Sequence, residues 1–101
     1  MRRSIEGKIY DTATATEICD ISRGYGGDFD QVSAELYVTR KGAFFIAGWG
    51  GAMTRFATST SDGNGRQGDD GIIPLPEREA LAYAEEFAPH KVEEFFKVEE
   101  A

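Results

Sequence analysis

Cysteine and histidine each occur once, as Cys19 and His90, and these two scarcities exclude several kinds of chemistry. A lone cysteine closes no intramolecular disulfide. One cysteine and one histidine fall short of the four-ligand sets that hold structural zinc. As a nucleophile and base they lack the third, orienting group that such pairs use. His90 follows Pro89 at a helix start, where the positive end of the dipole disfavours a charged imidazole. It therefore reads as a surface histidine, and Cys19 as a small buried hydrophobe. No stretch approaches the roughly 18 apolar residues of a membrane helix. The opening Met1-Arg2-Arg3-Ser4-Ile5-Glu6 carries bases without the apolar run of a signal peptide. A reducing, cytoplasmic setting away from membranes is the expectation.

Positive charge is also in short supply. Eleven Lys and Arg stand against eighteen Asp and Glu, leaving a net charge of −7 and a pI near 4.6. A direct grip on nucleic-acid phosphates needs a basic face, and so does adhesion to an anionic membrane; neither is expected. The balance suits a protein partner with a basic surface. Much of the negative charge lies at the end of the chain, where residues 77–101 hold eight Glu against Arg78, Lys91 and Lys97.

What is present suffices for one core. In 101 residues, 41% are apolar and 12% aromatic, the usage of an ordinary packed domain spanning 1–101. Ile5 to Ile21 reads as a β-hairpin, one strand around Ile9 and Tyr10 and the other ending in Ile18 and Ile21. Over 13–22 the alternative is a short helix, since Thr14 with Glu17 makes a capping box. Val32, Ala34, Leu36 and Val38 then alternate with Ser33, Glu35, Tyr37 and Thr39, a half-buried strand. Arg40-Lys41-Gly42 turns the chain into Ala43-Phe44-Phe45-Ile46-Ala47-Gly48-Trp49, apolar on both faces and so a central strand. Gly48-Trp49-Gly50-Gly51 ends it, and Thr54 to Thr58 predicts a short strand around Phe56.

The stretch 59–71, with four Gly and three Asp, predicts a mobile loop. Ile72-Ile73-Pro74-Leu75 suits an edge strand, because Pro74 has no N–H for a ladder. Pro76 suits the first position of a helix carrying Ala80, Tyr83, Ala84 and Phe87 on one face. Ala88-Pro89 breaks it, Val92, Phe95 and Phe96 supply a second short helix, and 99–101 should fray. The fold class is α+β: an antiparallel meander of four or five strands, then two short C-terminal helices packed on the sheet.

Two glycine-rich segments invite functional readings. Asp62-Gly63-Asn64-Gly65-Arg66 begins like a calcium loop, but Arg66 and Ile73 fall where an EF-hand needs oxygen ligands. Gly48-x-Gly50-Gly51 lacks the spacing of a nucleotide fingerprint and is not followed by a helix start. No catalytic residue, metal ligand or cofactor is assigned. The candidate binding residues are the aromatic group Tyr37, Phe45 and Trp49 with Gly50 and Gly51, and the acidic helix residues Glu85 and Glu86. The expected arrangement has Phe45 and Trp49 as a second small core beneath the C-terminal helices, with one indole edge exposed. The alternative is an aromatic patch open to a partner or a flat ligand.

Tyr10-Asp11-Thr12 with Ala15, Leu36-Tyr37, Lys41-Gly42, Phe45, Gly48 with Gly50-Gly51, Ile73-Pro74-Leu75 and Glu79-Ala80 form a pattern over residues 8–88. That pattern resembles a family of small, acidic, uncharacterised bacterial proteins met in phage and mobile-element settings. The resemblance implies a context, one that includes inhibitors of host defence such as anti-CRISPR proteins, and assigns no residue a role. The expectation is a non-enzymatic interaction protein, an inhibitor docking on the basic, nucleic-acid-binding surface of a host defence complex. The alternative is a small-ligand or nucleotide-sequestering protein built on Tyr37, Trp49 and the glycines. A homodimer formed by pairing free sheet edges is a further expectation.

Overall fold

The computed structural model describes residues 1–24, 31–50, 56, 58–59, 66–67 and 69–101. Four antiparallel strands form the main sheet, β3 (Thr16–Asp20), β4 (Val32–Val38), β5 (Phe44–Gly50) and β8 (Asp69–Leu75), in that spatial order. A separate hairpin, β1 (Arg2–Ile5) with β2 (Lys8–Asp11), precedes it, and a two-residue ladder, β6 (Thr58–Ser59) with β7 (Arg66–Gln67), lies between β5 and β8 in the chain. Two short helices close the chain, α1 (Glu77–Phe87) and α2 (Val92–Phe95), joined by a 3-10 turn at Pro89–Lys91. The α+β class, the antiparallel sheet and the helices packed on it are as the sequence predicts.

The alternation in the sequence decides which side chain faces which layer. Leu36 pairs with Ile46 and Val38 with Phe44, which turns this set toward one side of the sheet. There they form the main core with Ile18, Cys19, Leu75 and the helices. Ala80 and Ala84 of α1 and Ala88 at its C-cap recur every four residues, and their small side chains bring the helix close to the sheet. Phe96 completes the layer, its ring stacked on Phe44 at 4.9 Å. Phe56 is buried in the same core, and Cys19 lies in it as a small hydrophobe, its thiol pushed up by burial.

Three expectations need correction. The strand around Tyr10 does not pair with the one ending at Ile18; β2 pairs with β1 instead. Glu6 and Gly7 both hold positive φ, 51° and 77°, the two-residue turn whose twist matches a hairpin, and this closes the chain back on its start. Residues 16–20 are a strand, as the hairpin reading expects, but the partner is β4. The stretch 59–71 is not all loop, since β7 and the beginning of β8 fall in it. Pro76 is the N-cap of α1, not its first helical residue, because its carbonyl accepts from the N–H of both Glu79 and Ala80 while its own backbone stays extended. Most of the strand expected over 54–58 lies outside the described residues.

Candidate functional site

The face of the sheet opposite the helices carries the aromatic group. Tyr37 lies across from Phe45 in the β4–β5 ladder, and Trp49 follows Phe45 by four residues, so all three point the same way. The cover on this side is the N-terminal hairpin, not the C-terminal helices. Tyr10 of β2 meets Phe45 edge-on at 5.5 Å, and Tyr37 stacks on the other side of Phe45 at 5.1 Å. With Ala47 and Ile72 these make a second small core in which Phe45 is 0% exposed. Sequence reasoning therefore places a mini-core correctly and misassigns its roof. The helices are spent on the other face, where Leu36, Phe44 and Ile46 need covering.

Trp49 is outside both cores. Its exposure is 39%, more than the single free edge expected of it. The hairpin core covers Phe45 and Ile72 without including Trp49, and the Arg3 guanidinium of β1 is placed farther along, beside Gly71. Trp49 pairs with Ser33 on β4 and with Asp70 on β8, both exposed. Gly50 is buried as the last residue of β5, and Gly51 lies outside the described residues.

Three further carboxylates, on β3 and β4, share this open face with Asp70, and none was singled out from the sequence. Glu17 pairs with Tyr37, Asp20 with Glu35, and Glu35 with Ala47, so register alone turns them to the side of Trp49. Partial burial pushes the carboxyl of Glu35 up from its ordinary value, and the negative charges of Asp20 and Glu17 push it further. The same effects raise the Tyr37 hydroxyl, burial first and then Glu35 and Glu17. Asp20 moves the other way, its carboxylate held ionised by hydrogen bonds from the Ser22 hydroxyl and N–H, the latter at 2.7 Å. The signal was there in the alternation of Ser33, Glu35 and Tyr37, which makes them face-mates of Trp49.

Glu85 and Glu86 do not join this group. Both are exposed on α1, in the layer on the other side of the sheet. Glu86 meets Arg23 at 3.4 Å, and that guanidinium also lies over the Phe87 ring at 5.2 Å. The expected acidic helix and the expected aromatic group are thus on opposite faces, and the open aromatic face has acids of its own.

An indole among carboxylates has a definite preference. Its π-face and the surrounding negative charge both favour a cation, guanidinium above all, and both repel a phosphate. Among the described residues no group of His, Cys, Asp and Glu is placed to hold a metal ion, so these acids form a field rather than a chelate. No helix there is long and apolar enough to cross a membrane. Comparison with protein-family models, curated proteins and solved structures gave no match.

Proposed function

We propose that this chain is a non-enzymatic interaction protein whose open sheet face docks on a basic surface of a protein partner. The observation that carries this reading is the 39% exposure of Trp49 on the face that presents Glu35, Glu17 and Asp20. A large aromatic left uncovered at the end of a central strand is a natural anchor, and anchors of that type carry most of the energy of an interface. The carboxylates would steer a cationic partner to it and reject anionic competitors. The net charge of −7 adds a long-range attraction of the same sign.

A surface that binds nucleic acid is rich in Arg and Lys, so this face would compete with the nucleic acid for it. With the resemblance to mobile-element proteins, that makes a cytoplasmic host-defence complex, of the kind anti-CRISPR proteins inhibit, the proposed partner. A nucleotide held at Trp49 is the weaker reading, because its phosphates would meet the carboxylates of Glu35 and Asp70.

A labelled arginine-rich peptide, read by anisotropy, tests the surface without knowledge of the partner. The expected result is saturable binding that weakens as salt rises. Trp49→Ala should cost at least about 2 kcal/mol of that affinity, roughly thirtyfold, with an almost unchanged melting temperature. Binding equal in the variant, or indifferent to salt, would sink the proposal.

A further inference from the structure

At the opposite end of the charge distribution, the N-terminal hairpin and the β4–β5 turn leave a groove between them of about 550 Å³. This falls within the range of small-molecule sites, about 300–1,000 Å³. Lys8 lines it from β2, and Arg40 and Lys41 line it from the turn. Ile9 and Tyr10 also line it; Tyr10 is buried against Phe45, while Ile9 is 56% exposed although it is a large hydrophobe.

These cations differ from Arg2, Arg23 and Lys91, which are all engaged within the chain. Arg2 pairs with Asp11, Arg23 with Glu86, and the Lys91 ammonium donates to the Ile18 carbonyl at 2.9 Å. Among the described residues no carboxylate lies within ion-pair distance of Lys8, Arg40 or Lys41. The one acid in the groove, Asp11, is already engaged by Arg2 at 3.5 Å and by the Ala13 N–H at 2.9 Å. Thr39 also lines the groove, and its hydroxyl accepts from the Ala43 N–H at 3.0 Å, which leaves its own proton to donate outward. A chain with seven more acids than bases has gathered three cations without an ion-pair partner among the described residues, a hydroxyl donor and the exposed Ile9 side chain around one concavity.

We infer that this groove binds a small organic phosphate. The dianionic head sits among Lys8, Arg40, Lys41 and the Thr39 hydroxyl, and the organic body lies along Ile9 and Tyr10. Clustered ammonium and guanidinium groups match a compact dianion. A nucleic-acid strand is disfavoured as occupant, because a long polyphosphate needs an extended basic face and the chain carries a net charge of −7. The inference is independent of the docking face, since Trp49 belongs to neither wall of the groove.

The test is an amide-shift titration of the full chain at constant ionic strength, with inorganic phosphate and adenosine monophosphate as probes and chloride as control. Expected are saturable shifts confined to residues 8–11 and 39–43, with the nucleotide bound more tightly than phosphate and a Kd below about 1 mM. Lys8→Glu with Arg40→Glu should weaken binding at least about tenfold, while Trp49→Ala leaves it unchanged. Both cations are exposed, so the double variant should melt like the parent. Several results would overturn the inference: no saturable shift with either probe, equal shifts with chloride, shifts centred on Trp49, indifference to the charge reversal, or an acidic peptide binding in the groove where neither phosphate does.

Discussion

At the scale of single residues, Glu35 is the side chain whose position costs the fold most clearly. It is half-buried on a sheet face with Asp20 directly across the ladder and Glu17 nearby. Its carboxyl is raised in the folded chain, so the native state holds that proton more tightly than the unfolded chain does. Stability from this group is therefore greatest at acid pH and declines as pH rises from the ordinary carboxyl range through the raised value. Asp20 has the opposite sign: its carboxyl is lowered by Ser22, so its contribution is present at neutral pH and is lost on acidification. Glu35→Gln isolates the first effect. Urea unfolding over a pH series should show the variant more stable by about 0.5 kcal/mol at neutral pH, the scale of a cross-strand like-charge pair, with the gain vanishing in acid. A variant less stable at neutral pH would mean that Glu35 has a compensating partner. An acid retained at such a cost, beside an exposed indole, is what a docking face for cations requires.

At the scale of elements, β5 is the organiser, and Gly48 is the residue that lets it pair closely with β4. Its φ is 151°, and a Cβ there would lie 2.2 Å from the Ser33 carbonyl oxygen and 2.6 Å from the Ala34 Cα. Both obstacles are backbone and cannot rotate aside. Gly48→Ala should therefore destabilise by at least about 2 kcal/mol in denaturant unfolding, from strain and forced separation of the strands. A change within about 0.5 kcal/mol would show that the β4–β5 ladder relaxes freely. Much at this scale was legible in the sequence. The alternation over 32–38, the turn at Gly42, where φ is 86°, the edge position of the Pro74 strand and the spacing of Ala80 and Ala84 all depend on local pattern, and local pattern survives folding. The pairing of β2 was not legible, because Glu6 is an unusual occupant of a positive-φ turn position and gave no hairpin signal. Nor was the choice of which face the helices cover. Both faces of β5 are apolar, and only the fit of the alanine stripe of α1 over Phe44 and Ile46 selects between them.

At the scale of the whole molecule, the charges are sorted rather than mixed. Lys8, Arg40 and Lys41 gather at the groove beside the β4–β5 turn, while the open sheet face and the two helices are acidic. The sheet edges are poor places for another chain to add. Outermost β8 contains Pro74, and outermost β3 is bulged between Glu17 and Cys19 and has its Ile18 carbonyl taken by Lys91. Under the proposed function, recognition is thereby left to faces, and the face bearing Trp49 is the one with both an exposed aromatic and a negative field. Because Trp49 is the sole tryptophan, its emission reports that environment directly. The decisive measurement compares quenching of this emission by caesium and by iodide at equal ionic strength. An exposed indole among carboxylates predicts red-shifted emission, quenched by both ions and more strongly by the cation. Blue-shifted emission that neither ion reaches, or iodide quenching at least as strong as caesium, would contradict the account.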